Sequence, residues 1–199
     1  MTLTEEEVVA QTPRRQEIPV LKTERLILRA PRLADVKAVA QLANDRRIAE
    51  NAVRIPHPYG TEDAEQFIAS VNHRDGEVCF VAICNGKPIG ICSVDLREDG
   101  AELGYWLGAP YWGLGFATEA ARAVIDYAFG DLGHHALLCG ARVSNPASRR
   151  VLEKCGFQWT SVRLVRIRAI NSAAPVDRFR LDRGLWESLK SWRLAKRVA

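Results

Sequence analysis

The sequence predicts a single α/β domain of mixed type, built on a mostly antiparallel sheet of about seven strands with four main helices. Three observations predict it. Two hairpin signals, Asn85-Gly86 and Asp99-Gly100, join three consecutive apolar runs into an antiparallel meander. A glycine turn, Gly113-Leu114-Gly115, then opens a long helical pattern that leads to a further strand, a β-α-β crossover. The 199 residues, 47% of them hydrophobic, suffice for one core and not for two ordinary domains.

The elements follow in order. Met1–Pro19 is polar and reads as a mobile tail, with the domain over residues 20–199. Lys22–Arg29 reads as one strand, ended by Pro31, and Leu33–Arg46 carries apolar residues at helical period. Asn51–Gly60, with two prolines and a glycine, is a loop. Thr61 is an N-cap candidate for a second helix, with Glu62 and Asp63 where the helix dipole favours acids. The meander strands are Val78–Cys84, Ile89–Leu96 and Ala101–Leu107. The helix from Phe116 to about Phe129 precedes a strand at Ala136–Val143. Asn145-Pro146 pairs a strong N-cap residue with a proline suited to the first helical position, and Gly156 suits the position after that helix. Trp159–Ile170 and Val176–Leu181 are the last strands, and Leu185–Arg193 is a short closing helix.

Composition narrows the function classes. No apolar run approaches the ~20 residues of a membrane span, and no secretory pattern opens the chain, so a cytoplasmic location without a membrane partner is expected. The formal charge of +4 is spread along the chain. Its densest basic stretches, Arg163–Arg168 and Arg193–Arg197, could meet RNA or an acidic partner, but a solvated strand face and a solvated terminal helix explain them as well, and nucleic acid is not the expected partner. Five cysteines without a CxxC pair read as small buried hydrophobes. The adjacent His134 and His135, placed on a strand, point to opposite faces, so no metal is expected. The five tryptophans read as core and interface anchors, and the oligomeric state stays open, a homodimer included.

The run from Tyr111 to Ala120 is the most informative. A strand ends, glycines turn the chain, and a helix begins at once, so free N–H groups meet a backbone that a phosphate can approach closely. The competing reading is a glycine-rich connection that binds nothing. A dinucleotide fingerprint is disfavoured, because Thr118 stands where its third glycine belongs; the Gly-Lys-Ser/Thr phosphate loop is absent.

At this point the chain resembles a known family. Trp112-Gly113-Leu114-Gly115-Phe116-Ala117 resembles the Gln/Arg-x-x-Gly-x-Gly/Ala segment of GNAT acetyltransferases, with Trp112 in place of the leading Gln or Arg. Thr23–Arg29, Glu102–Leu107, Asn145–Ser148 and Glu153–Phe157 resemble the branch that acetylates ribosomal-protein N-termini, and the likeness runs from about Leu21 to Trp186. The resemblance implies a GNAT fold with splayed central strands and acetyl-CoA in a cleft between Ala101–Leu107 and Ala136–Val143. It implies pantetheine contacts from the backbone near Trp106 and Leu107, and a pyrophosphate site over Gly113, Leu114, Gly115, Phe116, Ala117 and Thr118 beside Trp112. Asn145 resembles the family asparagine that reaches the cofactor; helix capping alone is its other reading.

The reaction so implied is attack of an amine on a thioester. It needs a neutral amine, support for an oxyanion and a proton for the departing thiolate. An α-amine, pKa about 8, needs less help than a lysine-like amine near 10.4. Glu102 is the candidate base, its alternative an ordinary strand-end charge; alternation puts it on one face with Gly104 and sets Leu103 and Tyr105 on the other. The backbone N–H of Leu107 is a candidate oxyanion donor. Where many family members carry a proton-donating tyrosine, this chain has Leu152, so Ser148 or water must serve; the rival reading of Ser148 is a helix-surface serine without a role. The acceptor is a protein N-terminus or a small amine. The loop Asn51–Gly60 and the strand Val162–Ile170 are expected to line its side, and their scarcity of acid counts against polycations. Two other functions fit the pattern: an acyl-CoA-binding module without turnover, and a ribosome- or RNA-associated protein.

Overall fold

The computed structural model describes residues 18–73, 76–97 and 100–198. One sheet of eight strands runs through it in the order β1-β2-β3-β4-β5-β6-β8-β7. The strands are β1 Leu21–Lys22, β2 Ile27–Arg29, β3 Glu77–Cys84, β4 Lys87–Arg97, β5 Gly100–Leu107, β6 Ala136–Arg142, β7 Gln158–Ile167 and β8 Ser172–Asp182. The helices are α1 Val36–Ala43, α2 Arg46–Ala49, α3 Thr61–His73, α4 Phe116–Gly130, α5 Pro146–Cys155 and α6 Arg183–Val198.

The eighth strand arises because the predicted first strand is two. The Thr23 N–H donates to the Leu26 carbonyl, and the Thr23 hydroxyl accepts the Leu26 N–H in return. The chain therefore folds into a small hairpin, Leu21 opposite Leu28. Other boundaries shift for similar local reasons. Leu33–Asp35 is a 3-10 turn leading into α1, and Asp45 caps the separate α2 by accepting the Arg47 N–H. Thr61 lies inside α3, and the Asp63 side chain accepts the Gly60 N–H at 2.9 Å. Asn171 takes a positive φ of 47°, which closes a tight β7–β8 hairpin where a longer loop was expected. His134 and His135 precede β6 and do not lie on it. Asp99 of the second hairpin signal and most of the Met1–Pro19 tail lie outside the described residues. Ile18, assigned to that tail, is half-buried against the core.

Each face of the sheet has its own core. Leu28, Phe80, Val94, Leu103 and Leu137 point to the side covered by α4, α5 and Trp186 of α6. Cys79, Val81, Ile83 and Ile91 point to the side covered by α1 and α3. The period-2 alternation of the strands feeds both layers from the same segments. Four cysteines are buried and Cys84 is half-buried, all as free thiols. Burial pushes the thiols of Cys79 and Cys139 far above their usual value. Of the tryptophans, Trp186 is in the core, while Trp112, Trp159 and Trp192 are about half exposed.

β4 and β5 run antiparallel along their length, from Gly90 opposite Leu107 to Arg97 opposite Gly100. β5 and β6, in contrast, pair in parallel only at Ala101–Leu137 and Glu102–Leu138, and past these two registers no further pairing joins them. The approach of β4 to β5 is tight at Gly90: a Cβ there would lie 2.2 Å from the Trp106 carbonyl oxygen and 2.7 Å from Leu107 Cα. Backbone on both strands would have to yield. Gly90→Ala is expected to destabilise the protein by about 1–3 kcal/mol, read in thermal denaturation as a loss of roughly 2–4 °C per kcal/mol.

Candidate active site

The parting of β5 from β6 opens a cavity of about 910 Å³, at the large end of the roughly 300–1,000 Å³ usual for small-molecule sites. Its wall carries residues from both faces of β5. Leu103, Tyr105 and Leu107 belong to the α4/α5 side, and Glu102, Gly104 and Trp106 to the α1/α3 side. The cavity therefore passes through the sheet.

At one end stands the N-terminus of α4. Gly115 precedes it with φ +83°, a left-handed conformation that only glycine adopts without cost, and no side chain caps the helix. Gly113, Gly115, Phe116, Ala117 and Thr118 line the cavity, so the uncapped end faces open space. Orphan N–H groups and the positive end of the helix dipole make this an anion site. The donor set fits a diphosphate.

The turn before α4 is anchored from a distance. Glu119 Oε1 accepts from the Thr23 hydroxyl at 2.6 Å and the Arg25 N–H at 2.8 Å, and Oε2 accepts Arg25 Nε at 2.7 Å. Arg25 Nη1 donates to the Leu114 carbonyl at 2.9 Å, and its guanidinium lies 4.5 Å from the centroid of the Phe116 ring. The β1–β2 hairpin thus clamps the glycine turn. Burial disfavours the Glu119 anion, yet the Thr23, Arg25 amide and Arg25 guanidinium bonds outweigh it and hold the carboxyl below its usual value.

On the α1/α3 face the register lines up three acids. Glu77 faces Asp95 across β3–β4, and Asp95 faces Glu102 across β4–β5. Strand spacing near 4.8 Å makes this a row of roughly 10 Å. Arg54, from the loop after α2, bridges Glu77 at 3.2 Å and Asp95 at 3.5 Å. Arg178 of β8 donates to Glu102 Oε1 at 2.7 Å, both side chains being largely buried. Arg142 Nη1 donates to the Glu50 carbonyl and the Arg168 N–H to that of Val53, which ties the loop to this mouth.

On the opposite face, at the start of α5, Asn145 Oδ1 accepts the Ser148 N–H at 3.1 Å, the cap its sequence predicts. Ser148 Oγ lies 2.9 Å from the Tyr105 hydroxyl. Leu152 is fully buried in the core. At the rim, Trp112 Nε1 donates to the Leu107 carbonyl at 2.7 Å and Arg47 sits over its indole.

Both predicted catalytic residues, Glu102 and Ser148, line the cavity, as do Trp106, Leu107, Trp112 and Asn145. Leu114 does not; its side chain is exposed and its carbonyl is held by Arg25. The loop 51–60 and β7 also line the cavity, through residues such as Val53, Ile55 and Val165. Glu77 and Asp95 line the cavity as well, both paired with Arg54. The sequence signal for them, one acid at the end of each meander strand, becomes a site only once the register is known. Among the described residues no three His, Cys, Asp or Glu side chains gather as a metal ion would need, and no helix is long and apolar enough to cross a membrane.

Comparison with known proteins agrees with this geometry. The family model described as an acetyltransferase (GNAT) domain matches residues 25–158. An uncharacterized N-acetyltransferase of Bacillus licheniformis, p20, is 30% identical over 145 residues, covering 69% of this chain and 82% of its own. Two solved structures share the fold. A ribosomal L7/L12 alpha-N-protein acetyltransferase in complex with coenzyme A has a TM-score of 0.74 at 17% identity, covering 82% of this chain and 98% of that one. The spermidine N-acetyltransferase of Vibrio cholerae with CoA and spermine has 0.71 at 23% identity, covering 82% and 99%.

Since Glu119 is held below its usual pKa, its anion adds stability above that usual value of about 4.3, and the contribution disappears as pH falls through the lower folded-state value. Glu119→Gln is therefore expected to lose about 1–3 kcal/mol at pH 7, and in urea titrations its deficit against wild type should shrink as pH falls from about 4.3 through the lower folded-state value. With the cleft, the open helix end and the family match in agreement, the chain belongs to the GNAT acetyltransferases and is an acetyl-CoA-dependent N-acetyltransferase.

Proposed function

We propose that the protein acetylates a primary amine by direct attack on acetyl-CoA, with the two substrates meeting in the gap between β5 and β6 from opposite faces of the sheet. The observation that carries this reading is the placement of the cavity's chemistry. The α4 end and Ser148 lie towards the α4/α5 face, and Glu102 and its neighbouring acids towards the α1/α3 face. Acetyl-CoA would lie with its diphosphate on the amides of Gly113–Thr118, beside Trp112, and its pantetheine along Trp106 and Leu107. The Leu107 carbonyl is already taken by Trp112, so what that residue offers is its N–H, to the pantetheine or to an oxyanion. Asn145 borders the same channel.

The acceptor arrives from the loop side as an ammonium and meets Glu102, while Glu77 and Asp95 further along the row are held by Arg54. Glu102 takes its proton, directly or through water, and Arg178 fixes the carboxylate's direction. The neutral nitrogen attacks the carbonyl carbon, the C–S bond breaks with its electron pair on sulfur, and Ser148 supplies the sulfur's proton. A peptide N-terminus or a small amine fits this scheme. Spermidine is the acceptor named for the Vibrio cholerae enzyme of the same fold, so it belongs among the amines tested.

The test is thiol release from acetyl-CoA against a panel of N-terminal peptides, spermidine and simple amines, with acetylated products read by mass spectrometry. Glu102→Gln should lower kcat about 10²-fold with the KM for acetyl-CoA little changed. Full activity in that variant would remove the base assignment, and no turnover on any amine would remove the acceptor class.

A further inference from the structure

Helix α5 has a leucine where a proton-donating tyrosine is common in the family, yet a tyrosine hydroxyl reaches its first turn from the sheet. Tyr105 projects from β5 on the α4/α5 side. Its hydroxyl lies 2.9 Å from Ser148 Oγ, a contact in which either oxygen can donate, and 3.2 Å from the Ser148 carbonyl, so its one proton can go to Oγ or to the carbonyl. Both residues line the wall of the cavity beside the β5–β6 gap. We propose that Tyr105 is the positioning residue of the proton-donating step: its O–H donates to Ser148 Oγ, which leaves the Ser148 proton directed at the departing sulfur.

The chemistry supports this division of labour. A hydroxyl that accepts a hydrogen bond becomes a better donor, because bonds in a chain polarise one another. A serine without such a donor has its lone pairs on the cleft and no reason to present its proton there. Tyr105 is also a constant donor. Burial above all, then the thiol of Cys139 on β6, pushes its phenol well above the usual value near 10, against the pull of Ser148, and Cys155 and Cys92 add to the rise. It therefore keeps its proton across the working range, and it is not the proton's source. The balance closes without it. The acceptor nitrogen forms its bond to the acetyl carbon and gives up two protons in all from its ammonium form. One leaves through Glu102 to water, the other replaces the proton that Ser148 Oγ passes to sulfur as the C–S bond breaks.

This inference rests on the acetyl-transfer reading with Ser148 as donor, and the experiment separates the two. Wild type, Tyr105→Phe, Ser148→Ala and the double variant are compared in thiol release, with melting curves alongside. Tyr105→Phe keeps the ring and loses only the hydroxyl. It should lower kcat about 10-fold with the KM for acetyl-CoA within about two-fold. Ser148→Ala, which leaves the Tyr105 ring in place, should likewise act on kcat and not on KM. Because the pair acts as a unit, the double variant should lose no more than Ser148→Ala alone. Three results overturn the inference while acetyl transfer stands: an unchanged kcat in Tyr105→Phe, a rise in KM in place of a fall in kcat, or a double variant whose loss is the product of the single losses. Absence of turnover in wild type overturns both.

Discussion

Everything in the site depends on how little of β5 pairs with β6. Two registers, Ala101–Leu137 and Glu102–Leu138, join the strands. A parallel ladder continued beyond them would consume the backbone groups of both strands and seal the sheet. Their separation leaves polar main chain exposed along a gap, which a folded protein tolerates only where solvent or a ligand can satisfy it. The neighbours hold the gap open. β4 fixes β5 over its full length on one side, and β8 fixes β6 over its full length on the other. Neither strand can move to close the space without breaking a ladder of its own.

That single break sorts the chemistry. Alternation along β5 sends Glu102, Gly104 and Trp106 one way and Leu103, Tyr105 and Leu107 the other, so a carboxylate and a hydroxyl pair end on opposite faces a few residues apart. Glu102 stands at the last paired register, where the opening begins. The helix that offers its amide end enters from one layer, and the loop bearing Arg54 closes over the other. The two hydrophobic cores thus do more than stabilise the domain. They hold two half-sites in fixed relation through the sheet between them.

Much of this was legible locally. Glycines before Phe116, the Asn145-Pro146 pair and the Asn85-Gly86 turn announce backbone conformations that depend on few neighbours, and the structure reproduces them: Gly115 left-handed, Asn145 capping, Asn85 and Gly86 with positive φ. What local pattern could not carry was partnership at a distance. Glu119 reads as a first-turn acid of a helix, yet it meets residues 94 and 96 positions away. Glu77, Asp95 and Glu102 read as strand-end charges, and only the register of two hairpins makes them a row. Tyr105 reads only as a residue on the face of its strand opposite Glu102, and only the fold brings it to Ser148. The break at Thr23–Leu26 was missed because a threonine hydroxyl satisfied backbone groups that a strand would have paired.

The passage of the cavity through the sheet bears on the order of events. A pocket with one entrance forces its occupants into a queue, since whichever enters last must leave first. On the proposed placement a thioester and an amine have separate doors on the two sides of β5, so neither occupant would bar the other's arrival and spent coenzyme could depart while the modified amine is still seated. Encounter in either order would then lead to the same ternary complex, and no acyl group would have to be parked on the protein in between.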